Sequence, residues 1–155
     1  MSLAKISILA LAAIMTLGVA TSLQAEDAPV VDPAIAAMTP EAMVAARKAA
    51  MKEDGGILRG AAALTGAEAT AAADTLIKNF TNLPALFPEG SLVGDSKALP
   101  AIWENFDDFT SIFATAQKGA LDMKAAAEAG DAAAYGAALQ TIGGTCGMCH
   151  QKYRG

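Results

Sequence analysis

The sequence predicts an all-α fold, an antiparallel up-down-up-down bundle of four helices. Two observations lead to this prediction. The chain is rich in alanine and has few β-branched residues, a composition that favours helix over sheet. Four segments carry apolar residues at helical spacing, and most of them are joined by short connections, which favours antiparallel neighbours.

The first 25 residues have the three parts of a secretory signal. Lys5 gives a positive start, the apolar run Ile6–Val19 follows, and small residues precede Glu26. The run has about 14 residues, short of the roughly 20 that span a bilayer, so a membrane anchor is the weaker interpretation. We therefore predict a signal peptide over 1–25, cleaved after Ala25, and a mature chain that lies in the periplasm without inserting into a membrane.

The chain is acidic, with 11 lysines and arginines, 16 aspartates and glutamates, and a formal net charge of −5. Loss of Lys5 with the signal makes the mature chain one unit more negative. This charge argues against nucleic acid as a partner, because phosphates bind basic patches. The mature part, about 130 residues, has the size of one domain. We expect an irregular leader over 26–38 and a single helical domain over 39–155.

The first helix begins at Thr39-Pro40-Glu41, which offers an N-cap, a proline at the first helical position and an acid in the first turn. It is predicted to run to about Ala63. The second helix is predicted from Gly66 to Leu83, because its apolar residues recur at helical spacing.

A long connection over 84–99 separates the second and third helices, and connections of this length are often functional or enclose a ligand. The third helix is predicted to open at Pro100 and to end at Ala129, because Gly130 suits a helix C-terminus. Asp131 caps the fourth helix. The apolar stripe of the third helix consists of Ile102, Trp103, Phe106, Phe109 and Phe113.

The fourth helix contains the spacing C-x-x-C-H, formed by Cys146, Cys149 and His150, which is a haem-attachment motif. Residues three and four apart share one face of a helix, so both thiols and the imidazole can approach one flat ligand. The thiols can form thioethers with the haem vinyl groups, and the imidazole can bind the iron. We therefore predict one covalent haem c, attached at Cys146 and Cys149, with His150 as an iron ligand.

Other interpretations of this motif are weaker. A structural zinc site needs four cysteine or histidine ligands, whereas the chain has two cysteines and one histidine. A thioredoxin-like pair belongs to a βαβ context that the sequence does not predict, and a plain disulfide would leave His150 unexplained. Because His150 is the only histidine, the sixth iron site is empty or is filled by methionine, lysine, a small molecule or another chain.

Two methionines of the first helix, Met43 and Met51, can be considered as that sixth ligand. Met148 lies between the bonded cysteines, Met123 lies at the far end of the third helix, and Met38 precedes the first helix. Met43 and Met51 are two turns apart, roughly 12 Å along the helix axis, so only one of them can reach the iron. The spacing alone does not choose between them.

A C-x-x-C-H motif at the end of a four-helix chain resembles the class II cytochromes c, the cytochrome c′ family. That family ends in C-x-x-C-H-x-x-[YF]-R, which residues 146–154 match. Weaker similarities are Arg47 to Met51, Leu86-Phe87-Pro88 and Ile102-Trp103. The resemblance implies a monohaem protein of the periplasm with periplasmic redox proteins as partners, and a possible homodimer through the first two helices.

The resemblance also implies one of two functions. In cytochromes c′ the iron is five-coordinate, and an apolar distal face binds nitric oxide or carbon monoxide. In the low-spin branch a methionine of the first helix is the sixth ligand, and the protein carries electrons. The family register places that methionine at Met51, and the segment after it is more similar to the low-spin branch. The first hypothesis is therefore a single-electron carrier with His150 and Met51 on the iron; the alternative is the gas-binding protein, and an enzyme is the weakest interpretation.

Three further residues are candidates for haem contacts. Arg47 lies one turn before Met51, and the resemblance implies that it pairs with a haem propionate; the alternative is a solvated surface arginine. Arg154 follows His150 by four residues and could cover the proximal face or pair with a propionate. Trp103, near the start of the third helix, is the best aromatic candidate to touch the ring, although such stripes more often form core.

Overall fold

The computed structural model describes residues 28–155, so the predicted signal peptide over 1–25 lies outside the described residues. The described chain is the all-α, antiparallel four-helix bundle that the sequence predicts. Its long helices are α1 (Pro40–Gly60), α2 (Gly66–Asn82), α3 (Phe106–Ala129) and α4 (Ala132–Tyr153). Within 28–155, no helix is long and apolar enough to cross a membrane.

The helix ends follow the capping residues that the sequence indicates. The Thr39 hydroxyl accepts a hydrogen bond from the Ala42 N–H at 3.2 Å and so caps α1. Gly130 ends α3 with a φ of 68°, a left-handed conformation that glycine adopts without steric cost. The Asp131 carboxylate accepts two backbone N–H groups of the first turn of α4, at 3.0 and 2.9 Å.

Two segments differ from the sequence-based prediction. The third helix does not run unbroken from Pro100, because Asn105 leaves the helical region with φ −138° and ψ 48° and separates the helical turn Ala101–Glu104 from α3. Local hydrogen bonds of the Asn105 side chain compete there with the helix, since its Nδ2 donates to the Ala101 carbonyl. Within the leader, Pro33–Ala37 forms a 3-10 turn that buries Ile35.

The core lies mainly between α2, α3 and α4, where Leu76, Phe109 and Ile142 are at most 1% exposed. Helices α3 and α4 approach closely at Gly119, where a Cβ atom would stand 2.9 Å from Ile142 Cγ1. Helix α1 instead packs on α2 and on the 3-10 turn Leu83–Leu86. Its middle turns and the end of α4 both line a cavity, which positions the candidate site.

Candidate haem site

A cavity of about 670 Å³ lies between α1, the long connection and the C-terminal end of α4. This volume falls within the range of small-molecule sites, about 300–1,000 Å³. Three elements supply most of its wall. Residues that matter for the chemistry are Arg47, Met51 and Lys52 on α1, Phe87 and Lys97 in the connection, and Cys149, His150 and Arg154 at the end of the chain.

The three residues of the C-x-x-C-H motif lie on the last turns of α4. Cys149 and His150 line the cavity, and Cys146 lies one turn earlier and is exposed. The two cysteines form no disulfide with each other, and burial, followed by the neighbouring Cys146, raises the pKa of the Cys149 thiol to about 11. Two thiols and an imidazole at this spacing, beside a cavity of this size, fit a haem joined through two thioethers and bound at the iron by histidine.

The electrostatic surroundings of His150 favour its neutral form. Partial burial, followed by the positive charge of Arg154, lowers the pKa of the imidazole. A neutral imidazole is the form that binds a metal. The site therefore offers His150 in a state suited to ligation at neutral pH.

Of the two methionines that the sequence leaves open, only Met51 lines the cavity. Met51 is half-buried on the α1 side, whereas His150 stands on the α4 side. Met43 is 8% exposed and belongs to the hydrophobic core. The structure thus brings Met51 and His150 to one cavity and keeps Met43 away from it.

Arg47 is buried, so the interpretation as a solvated surface arginine is wrong. The side chain is 4% exposed, and burial lowers its pKa. Its guanidinium donates to the Leu86 carbonyl at 2.9 Å, to the Ser91 hydroxyl and carbonyl at 2.9 and 2.8 Å, and to the Ser96 hydroxyl at 2.7 Å. It also lies 4.3 Å from the centre of the Phe87 ring. Arg47 therefore holds the long connection against α1, and its pairing with a propionate stays a prediction.

Arg154 lines the cavity from the last residues of the chain, which pair with the connection. Ala98 and Arg154 form an antiparallel β-bridge, and the Gly155 N–H donates to the Lys97 carbonyl at 2.8 Å. The Tyr153 hydroxyl donates to a carboxylate oxygen of Asp108 at 2.6 Å. These contacts hold the C-terminus in place beside the cavity.

Lys52 and Lys97 also line the cavity, and neither was a candidate site residue from the sequence. Together with Arg47 and Arg154 they make the cavity wall cationic in a chain whose net charge is −5. A cationic wall suits a ligand with two carboxylates, as haem has. Lys97 could have been suspected only from its place in the long connection, because no motif marks it.

Trp103 is not among the residues that line the cavity, so the structure does not bring this candidate to the site. Its indole N–H donates to the Phe87 carbonyl at 3.0 Å, and its ring packs against the core. The adjacent Ile102 and the first-turn Phe109 of α3 line the cavity instead.

The chain matches the family model described as Cytochrome C′ over residues 36–154. The chain belongs to the cytochrome c′ family. Members of this family carry one covalently bound haem c, and this cytochrome therefore carries one as well. It is 46% identical to a cytochrome c-556 of Agrobacterium tumefaciens (strain II Chrys) over 116 residues, which cover 70% of this chain and 93% of the relative.

Two solved structures show how far the similarity extends in three dimensions. A cytochrome c′ with ligand-controlled dimer dissociation superposes with a TM-score of 0.68 at 26% identity, covering 76% of this chain and 97% of that one. A nitric oxide complex of a mutant cytochrome c prime from Alcaligenes xylosoxidans gives a TM-score of 0.66 at 27% identity, covering 75% and 96%. The match thus spans nearly the whole of each neighbour.

Proposed function

We propose that this cytochrome is an exported protein of the periplasm whose haem binds nitric oxide or carbon monoxide on the side that faces α1. Cys146 and Cys149 attach the haem, and His150 binds the iron from α4. The observation that carries the proposal is the cavity beside His150, to whose α1 wall the apolar side chains of Val44, Ala49 and Met51 contribute. The similarity to a cytochrome c prime solved with nitric oxide supports it.

Bound haem supplies an iron that can take a diatomic gas or exchange one electron. The protein's own residues supply the surroundings. Partial burial and the charge of Arg154 lower the pKa of His150 and favour its neutral form, which suits it to binding iron. Arg47 fixes the connection that closes one side of the cavity. Lys52, Lys97 and Arg154 provide positive charge for the propionates.

A second candidate function is the single-electron carrier that the sequence analysis put first. Its supporting observation is that Met51 lines the cavity from α1 while His150 lines it from α4. A thioether ligand favours ferrous iron and raises the reduction potential, which suits one-electron transfer between periplasmic redox proteins. The family assignment and the nitric oxide complex favour gas binding over this candidate.

The spin state of the ferric protein and the reaction of the ferrous protein with carbon monoxide separate the two functions. Gas binding predicts a high-spin ferric spectrum and complete carbon monoxide binding. A low-spin spectrum with a far-red methionine–iron band, and no carbon monoxide binding, would establish the electron carrier instead. Met51→Leu then converts the carrier to high spin, whereas the core variant Met43→Leu does not.

The haem attachment is tested separately by mass spectrometry of the denatured protein. We expect one haem that stays on the chain after unfolding, attached through both cysteines. Cys146→Ala should leave a single thioether at Cys149, and the double variant should lose the haem on unfolding. A haem that leaves the wild-type chain on unfolding would contradict the proposed attachment.

We further propose a homodimer through α1 and α2. Both helices expose small side chains that permit close helix approach, such as Ala45 on α1 and Ala67 and Ala71 on α2. A solved neighbour described with ligand-controlled dimer dissociation supports the proposal. In sedimentation experiments Ala71→Glu should shift the protein to monomer, whereas Ala114→Glu on α3 should not. A wild-type monomer at high concentration would refute the dimer.

A further inference from the structure

The carboxylate of Asp54 is enclosed on the inner side of α1, outside the set of residues that line the cavity. Its side chain is 4% exposed. Its Oδ1 accepts a hydrogen bond from Asn79 Nδ2 of α2 at 2.7 Å. Its Oδ2 is buried and has no hydrogen-bond partner anywhere in residues 28–155. A buried carboxylate with one oxygen unpaired is costly when charged, so it calls for an explanation.

The neighbours of Asp54 stabilise its charge only in part. Asn79 Nδ2 also donates to Glu53 Oε2 at 2.9 Å, so two carboxylates share one amide group. Burial raises the pKa of Asp54 to about 6, the Asn79 hydrogen bond lowers it in part, and the charge of Glu53 raises it further. Among residues 28–155, no lysine or arginine contributes to this shift in the pKa of Asp54. Asp54 is therefore able to gain or lose a proton near neutral pH.

Asp54 also lies within electrostatic reach of the proposed haem attachment. Burial is the larger cause that raises the pKa of the Cys146 thiol, and the negative charge of Asp54 is the second cause. The groups that face Asp54 are thus Glu53 on its own helix, Asn79 on α2 and Cys146 on α4. Once Cys146 is a thioether it bears no charge of its own, and reduction of a haem attached there changes the charge near Asp54 by one unit.

We propose that Asp54 is a proton-binding site coupled to the oxidation state of the haem. Asp54 takes one proton from solvent, in part or in full, when a one-electron donor reduces the ferric iron, and it returns the proton on oxidation. The ferric haem carries one more positive charge than the ferrous haem, and that charge stabilises the nearby carboxylate. Reduction removes this positive charge and so favours protonation of Asp54. The bound proton then replaces the positive charge that the iron has lost.

This proposal rests on the haem attachment at Cys146 and not on the identity of the sixth ligand. It therefore holds for the gas-binding protein and for the electron carrier alike. If the ferric spin state or carbon monoxide binding contradicts the proposed function, the coupling at Asp54 is unaffected. If mass spectrometry shows no attached haem, the attachment itself fails, and that result is recognised before any potential is measured.

The test is the reduction midpoint potential of the holoprotein between pH 5 and 8, measured for wild type, Asp54→Asn and Glu53→Gln. In wild type the potential should fall as pH rises through the region near 6, by at most about 59 mV per pH unit, which is a tenfold change in the reduction equilibrium. Asp54→Asn should remove this part of the slope. Its potential should lie above wild type at pH 8, where the lost carboxylate favoured ferric iron, and approach wild type at pH 5.

The control variant Glu53→Gln removes a neighbouring carboxylate and should keep the slope, moved to lower pH because the like charge has gone. Because all three proteins carry the same propionates, the difference in slope between wild type and Asp54→Asn measures the contribution of Asp54. Equal slopes in wild type and Asp54→Asn would overturn the proposal.

A measurement on the wild-type chain does not depend on the folding of any variant. Aspartate labelled with carbon-13 at its side-chain carboxyl separates aspartate from propionate and glutamate in redox-difference infrared spectra. We expect a labelled carboxylic acid band to appear on reduction at pH 6, near the pKa of Asp54, and to vanish on oxidation. Its absence in the haem-loaded wild type would refute proton uptake by Asp54.

Discussion

Arg47→Met tests how strongly one buried guanidinium holds the long connection against α1. Methionine keeps the length of the apolar stem and removes all donors. The carbonyls of Leu86 and Ser91, in residues 4% and 0% exposed, then lose charged donors. Each hydrogen bond to a charged group contributes about 1.5–3 kcal/mol. Removal of these two bonds therefore lowers the free energy of unfolding by about 3–6 kcal/mol.

Relief of the buried charge offsets part of this loss. Burial lowers the pKa of Arg47, which shows that the folded protein pays a desolvation cost for the cation. We therefore expect the lower end of the range, a fall of about 3 kcal/mol in the free energy of unfolding. For a domain of this size, that loss lowers Tm by about 10 °C.

The assay is guanidinium chloride unfolding of the ferric holoprotein, followed by far-ultraviolet circular dichroism. Arg59→Met is the matched control, because Arg59 is an exposed arginine near the end of the same helix, and its loss should change stability by less than about 0.5 kcal/mol. Arg47→Lys should fall between the two, since it keeps the charge but not the planar fork. A loss below about 1 kcal/mol for Arg47→Met would refute the reasoning.

Two further predictions concern the helix contacts that frame the site. Gly119→Ala should destabilise the protein by about 1 kcal/mol, because its Cβ meets buried Ile142 at 2.9 Å, whereas Gly136→Ala, with nothing within 4 Å, should stabilise it by about 0.5–1 kcal/mol in thermal unfolding. The Tyr153 hydrogen bond, followed by that of Lys152, lowers the pKa of Asp108. Asp108→Asn should therefore be less stable than wild type at pH 7, and the difference should shrink as the pH falls below 3.8, the ordinary pKa of an aspartate.

Each of these predictions has a contrary outcome. Equal stability of the two glycine variants would show that α3 and α4 separate readily at Gly119. A wild-type advantage over Asp108→Asn that persists unchanged to pH 2 would show that the ion pair with Lys152 and the Tyr153 hydrogen bond do not depend on the charge of Asp108. Denaturant titrations at pH 7 and at two acidic pH values provide the comparison.

Local signals made much of the fold predictable. Thr39, Gly130 and Asp131 each act within one turn of their own position, so the sequence indicates the helix ends that the structure shows. The break at Asn105 was missed because the apolar stripe on either side continues at helical spacing, and a single asparagine is a weak signal.

Some residues of the candidate site were likewise predictable from local sequence, and others were not. The spacing of Cys146, Cys149 and His150 lies within two turns of one helix, so the sequence alone identifies a haem motif. The choice of Met51 over Met43 needed the family resemblance, and only the structure shows which of them lines the cavity. Trp103, the aromatic candidate for a ring contact, is not among the residues that line the cavity, and the sequence gives no measure of where its indole N–H is bonded.

The sequence by itself determined four helices, their caps and a haem attached near the C-terminus, because each depends on residues within a few positions of one another. Tertiary structure decided the surroundings of Arg47 and Asp54. The partners of Arg47 lie 39 to 49 residues away, and Asn79 lies 25 residues from Asp54. A charged side chain can be solvated, can hydrogen-bond a loop, or can have a pKa shifted by burial. Burial decides among these, and it depends on how distant segments of the chain pack together.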